Sequence, residues 1–187
     1  MSRWEPDAGG RLREAALELF ATTGYEATTV AQIAARAGLT SRTFFRHFPD
    51  KPEVLFAGSD TLEQKMVAAL RAAPLEASPR RALDDALDVA VALLSERADF
   101  ARRRHHVIAA NPALLERETM KLARLSTALA TALHERGVGQ RPAAMAAQAA
   151  VAAFGVAFDQ WAREPGANLR RLVEENLDLL VGLVRDK

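Results

Sequence analysis

The side chains best equipped for binding chemistry sit in one short basic run. Between Thr28 and Lys51 the cations Arg36, Arg42, Arg46 and Lys51 stand against a single acid, Asp50, a local net of +3 in a chain whose formal net charge is +1. Projected at about 100° per residue, the stretch Ser41 to Phe48 puts Phe44 and Phe48 on one side and Arg42, Arg46 and, less squarely, Thr43 on the other. The first side suits a core. The second is basic; on an arbitrary helix such arginines read as ordinary solvated charges, so the surrounding residues must decide whether this face recognises anything. Catalytic chemistry finds little support by comparison. The chain has no cysteine, which removes thiolate nucleophiles, disulfide frameworks and thiolate zinc sites. It carries no Glu-x-x-His pair for a di-iron centre, no Gly-x-Ser-x-Gly elbow and no glycine-rich loop ahead of Lys-Ser/Thr. The reading is therefore a binding protein and not an enzyme, with no cofactor implied.

The elements that must position these residues are helices. Apolar residues recur at helical spacing almost everywhere and strand-like alternation is nearly absent, so the fold class is all-α. Punctuation divides the chain into nine helices. The first runs from about Arg11 to Thr22, with Gly24 after it. The second starts at Thr28-Thr29-Val30 and stops at Gly38, and the third, capped by Thr40 or Ser41, continues to Phe48 before Pro49. Asp50-Lys51-Pro52-Glu53 has the form of a capping box and predicts one long fourth helix to about Ala73. Ser78-Pro79 opens a fifth helix to roughly Arg97, a sixth covers about Asp99 to Ala110, and a seventh Ala113 to Arg136. Pro142 introduces the eighth, and Pro165-Gly166 the ninth. The best place for a domain boundary is the short joint from Pro49 to Pro52, which divides the chain into residues 1–51 and 52–187.

Two short helices joined by a turn at Gly38, with a third helix before them, have the form of a helix-turn-helix. The residues filling that form, Thr28-Thr29-Val30-Ala31-Gln32-Ile33-Ala34-Ala35-Arg36-Ala37-Gly38-Leu39-Thr40-Ser41-Arg42-Thr43-Phe44-Phe45-Arg46-His47-Phe48-Pro49-Asp50-Lys51, closely resemble the signature of the tetracycline-repressor (TetR) family of bacterial regulators. The strong resemblance covers about Leu12 to Leu55. It implies a nine-helix architecture with an N-terminal domain that binds double-stranded operator DNA, followed by a ligand-binding and dimerisation domain. It also implies residue roles. Ser41, Arg42 and Thr43 would meet base edges, with Arg42 the leading specificity residue, and Arg46 shares their exposed face. Thr29, Thr40, His47 and Lys51 would meet phosphates, although plain capping is an equal reading of the two threonines. Phe45 stands where the family commonly has tyrosine, so a phenolic contact is lost and apolar contact with a thymine methyl remains.

The rest of the chain is electrically balanced: residues 52–187 hold 18 basic and 18 acidic side chains, which argues against a second nucleic-acid surface. Small residues from Ala143 to Ala162 and an apolar stripe of Leu172, Val173, Leu177, Leu180 and Val184 suit a homodimer built from the last two helices, with burial inside one subunit as the alternative. Met66, Met120, Phe154 and Phe158 are candidate walls for an apolar or amphipathic small-molecule effector, with simple core packing as an equal reading. Arg103 and Arg104, within Arg102-Arg103-Arg104-His105-His106, either form a solvated face or guard the mouth of that pocket. Adjacent histidines point about 100° apart on a helix and do not suit one metal ion. Pro142 to Phe158 has 17 residues without a charge, but its alanine content and Gln148 predict a buried helix and not a membrane span. With no apolar run after Met1, the expected location is the cytoplasm.

Overall fold

The computed structural model describes residues 7–185, with side chains through Leu183. Its described residues form ten helical segments and no strand: α1 (Ala8–Thr22), α2 (Val30–Arg36), α3 (Ser41–His47), α4 (Glu53–Phe56), α5 (Ser59–Ala72), α6 (Pro79–Glu96), α7 (Ala98–Ala109), α8 (Pro112–Glu135), α9 (Gln140–Arg163) and α10 (Leu169–Arg185). The extra segment comes from the predicted fourth helix, which is interrupted. Ala57 closes α4 by donating to the Glu53 carbonyl at 2.8 Å, then turns out of helical geometry at ψ 124°. Gly58 follows at φ 103°, a backbone state that glycine adopts without a Cβ penalty. Counted as one interrupted helix, α4 and α5 restore the nine-helix plan.

Contacts divide the chain into two compact units. The first runs through Ala57 and includes Arg103–Glu116, so the change of unit falls between Ala57 and Gly58 and not within Pro49 to Pro52. Leu12, Leu17, Phe20, Ile33, Phe44, Phe48 and Phe56 are buried in it. The second unit holds Gly58–Arg102 and the residues from Arg117 onward. Its core is lined by alanines and leucines of α5, α6, α8, α9 and α10, with Met66, Phe154 and Trp161 as the large members. Alanine at 143, 147, 150, 153 and 157 keeps one face of α9 thin, which lets neighbouring helices approach closely. Among the described residues, α9 alone is long and apolar enough to cross a membrane, and those alanines place it instead as the core helix of this unit.

Candidate nucleic-acid interface

The first unit owes its geometry to local chemistry. Thr29 caps α2: the Gln32 amide donates to Thr29 Oγ1 at 3.2 Å, and the Gln32 side chain accepts from the Thr29 amide at 2.8 Å. This reciprocal pair satisfies donors that a helix start would otherwise leave open. At the other end of α2, Leu39 donates to the Ala34 carbonyl at 2.8 Å and Gly38 to that of Ala35 at 3.0 Å, with Gly38 at φ 68°. That left-handed close is what swings the chain directly into α3. Thr40 then caps α3 by accepting from the Thr43 amide at 3.2 Å.

The two faces expected of α3 are present. Phe44 is fully buried and its ring lies 5.3 Å from that of Phe48, which is buried as well. Phe45, one residue on, is 56% exposed, and Arg42, Arg46 and His47 share the outer surface with it. Ser41 and Thr43 are half-buried at its edge. Arg42 and Arg46 have no hydrogen bond or ion pair among the described residues, in contrast to Arg36, whose guanidinium forks onto both carboxylate oxygens of Glu18. The outer face of α3 therefore presents two unpaired cations, small hydroxyls and an apolar ring on a rigid, capped segment.

Lys51 is placed differently. Its ammonium donates to the carbonyls of Tyr25 at 2.8 Å and Thr28 at 3.0 Å, and lies 4.1 Å from the centre of the Tyr25 ring. Tyr25 carried no signal in the sequence because 26 residues separate it from its partner. Asp50 behaves as the capping box predicts, accepting from the Glu53 amide at 2.8 Å.

The residues proposed for an effector pocket are only partly brought together. Phe154 and Phe158 stack at 6.1 Å with rings 11° from parallel, and Met66 belongs to the same core cluster. Met120 does not join them: it is 67% exposed. Arg103 and Arg104 lie in the first unit, where Arg103 pairs with Glu14 at 2.9 Å and Arg104 donates to the Leu55 carbonyl at 2.7 Å over the Phe56 ring. The cation against the aromatic row is their neighbour Arg102, 4.4 Å from the Trp161 ring, with Trp161 itself 5.5 Å from Phe158. Spacing could have revealed Trp161, since 154, 158 and 161 share one helical face.

The apolar stripe of the last helix is divided. Leu172, Val173 and Leu177 are buried within the subunit, whereas Leu179, Leu180, Val181 and Leu183 are exposed. The side chain of Val184 lies outside the described residues. On α9, Met145, Ala152 and Val156 form an exposed small and apolar face.

Residues 12–57 match the bacterial regulatory proteins of the tetR family, and residues 77–184 match the MftR C-terminal domain of the same class of regulators. The chain belongs to the TetR family. Its members are transcriptional regulators with an N-terminal DNA-binding domain, not enzymes. The HTH-type transcriptional regulator TcmR of Streptomyces glaucescens is 44% identical over 75 residues, 40% of this chain and 33% of that one. A second HTH-type regulator, from Mycobacterium bovis, is 36% identical over 83 residues, 44% of this chain and 42% of its own length. The matched part of the chain thus spans less than half the length of these relatives. Among solved structures, the TetR family regulator PfmR of Thermus thermophilus is 26% identical with a TM-score of 0.57, covering 92% of this chain and 97% of its own. FadR of the same organism, crystallised with lauroyl-CoA, is 24% identical at a TM-score of 0.60, with 92% and 93% covered; at that identity it supports the fold alone.

Proposed function

We propose that this TetR-family chain is a repressor that binds a pseudo-palindromic operator as a homodimer and is released by a small amphipathic ligand. The observation that carries the DNA reading is the outer face of α3, where Arg42 and Arg46 stand unpaired beside Ser41, Thr43, Phe45 and His47. Arg42, in the first turn of α3, is the best placed to reach a base edge bidentately. Thr29 and Thr40 serve first as caps, leaving the start of each helix to offer backbone amides to phosphate.

Two such helices in a dimer would read half-sites separated by about one turn of duplex, roughly 34 to 36 Å, or a multiple of it. The dimer surface we favour combines Met145, Ala152 and Val156 of α9 with Leu179, Leu180, Val181 and Leu183 of α10, since these apolar side chains are exposed in a single subunit. For the ligand, the row Phe154, Phe158 and Trp161 with Arg102 over its end supplies apolar wall and one cation, which suits an apolar body with an anionic head. The lauroyl-CoA held by the Thermus FadR is of that description. A chain of this kind would act in the cytoplasm.

The deciding experiment is selection of duplex fragments from a random pool by the purified protein. Recovery of an inverted repeat bound by a dimer, and its release by an acyl thioester but not by the neutral apolar analogue, is the expected result. Recovery of no shared sequence would contradict the reading. For release by tenfold the ligand must favour the unbound form by about 1.4 kcal/mol, whatever its absolute affinity.

A further inference from the structure

Resting on the DNA reading above, we infer that Lys51 is a positioning residue, a clasp between the joint that follows α3 and the turn that precedes α2, and not a phosphate-binding cation. An ammonium has three donor hydrogens. Here two are directed at the carbonyls of Tyr25 and Thr28, 2.8 and 3.0 Å away, and the remaining side of the charge faces the Tyr25 ring at 4.1 Å. Hydrogen bonds from a charged donor are stronger than neutral ones, and a cation over an aromatic face adds to them. A phosphate could take the third hydrogen only by competing with the Tyr25 ring for that side of the charge, with the two carbonyl bonds fixing where the ammonium sits.

The turn that Lys51 grips is itself rigid. Thr28 is buried and its hydroxyl donates to the Gly24 carbonyl at 2.7 Å, while the Tyr25 ring is buried edge-on against Phe20 at 5.1 Å. The Thr28 peptide leads directly into Thr29, the cap of α2. Lys51 lies four residues beyond the last residue of α3. The clasp thus joins the chain just before α2 to the chain just after α3, 23 to 26 residues apart, and holds the reading pair between two fixed points. Arg42 and Arg46 show the opposite condition, outward and unpaired, which is what a cation meant for DNA requires.

The test combines a spectroscopic signature with a salt titration. Tyr25 is the chain's single tyrosine, so the Lys51 side-chain methylene protons should carry an upfield ring-current shift that Tyr25→Leu removes. In wild-type protein bound to its pool-selected duplex, the clasp keeps that shift; its loss on adding DNA would overturn the inference. Lys51→Met should weaken all duplexes alike while leaving the slope of log affinity against log salt unchanged, and Lys51→Arg should restore affinity because a guanidinium can also reach two carbonyls. A slope shallower by about 0.9 for each subunit in Lys51→Met would overturn the inference in favour of a phosphate contact. If the protein selects no duplex at all, the DNA reading fails, yet absence or presence of the shift in the free protein still decides whether the clasp exists.

Discussion

Both units pair most of their arginines, and they differ in where the unpaired ones stand: Arg42 and Arg46 share one face of α3, whereas in the second unit Arg141 is exposed by itself near the start of α9. In the second, guanidinium after guanidinium is paired: Arg71 with Glu135 at 2.8 Å, Arg80 with Asp84 and Asp178 at 3.0 and 3.1 Å, Arg124 with Asp60 and Glu63, Arg163 with Asp159, Arg170 with Asp88 and Glu174, and Arg171 with Glu175. In the first, Arg36, Arg103 and Arg104 are likewise engaged, but Arg42 and Arg46 are left open on α3. A whole-chain charge near zero conceals this. What distinguishes a surface prepared for a polyanion is not how many cations it has but which of them lack an internal partner, because only those can neutralise phosphate or read a base without first breaking a bond.

Substitutions on either side of α3 test this difference, and the largest effect should come from the buried side of the reading helix. Phe44→Ala removes a ring with no exposure and should cost about 3 to 5 kcal/mol, melting the first unit before the second in a thermal scan. A single unchanged transition would show that the outer face does not depend on the packed inner one. Next comes the proposed dimer face. Ala152 is exposed in the subunit, so Ala152→Arg should fold normally yet lose about 1 to 3 kcal/mol of association through overpacking alone, and light scattering should report a monomer at micromolar concentration where the wild type is a dimer. A monomeric wild type would remove both the dimer and the palindrome.

Smaller effects test the caps and the paired charges. Thr40→Ala should lower stability by about 1 kcal/mol, because the Thr43 amide loses its acceptor, and should weaken DNA binding only in proportion. A large, sequence-specific loss in that variant would instead assign the Thr40 hydroxyl to DNA. Arg163→Ala breaks an exposed i,i+4 pair and should change stability by at most a few tenths of a kcal/mol, with no change in the salt dependence of DNA binding. The pair Arg71 and Glu135 belongs with it: the hydrogen bond from Arg71 holds the Glu135 carboxyl below its ordinary range, so whatever stability it adds is present at neutral pH and lost as pH falls through that lowered value.

What could be read from the sequence follows the range of the interactions. Caps, turns and helix faces are set within four residues, so Thr29, Gly38, Thr40 and the division of Phe44 from Arg42 were all legible in the chain. The break at Gly58 was missed because one glycine inside a helical pattern is tolerable, and nothing local shows that Ala57 leaves the helix. Contacts across long separations were invisible. Tyr25 with Lys51, Arg104 with Leu55 and Arg102 with Trp161 depend on how helices meet, and Met120 was misjudged as a pocket wall for the same reason: composition marks it as apolar but not which way its face of α8 points.

We propose that the unpaired cations of α3 are the DNA-reading surface. It is tested most directly by measuring, at one fixed salt concentration, the affinity of wild type, Arg42→Ala and Arg46→Ala for the pool-selected duplex and for a scrambled duplex, together with the thermal midpoint of each protein. Midpoints should be unchanged, with a loss of roughly 1 to 3 kcal/mol per contact on the selected duplex for Arg42→Ala and a smaller preference over the scrambled one. Folded variants that bind the selected duplex as tightly and as selectively as wild type would contradict it.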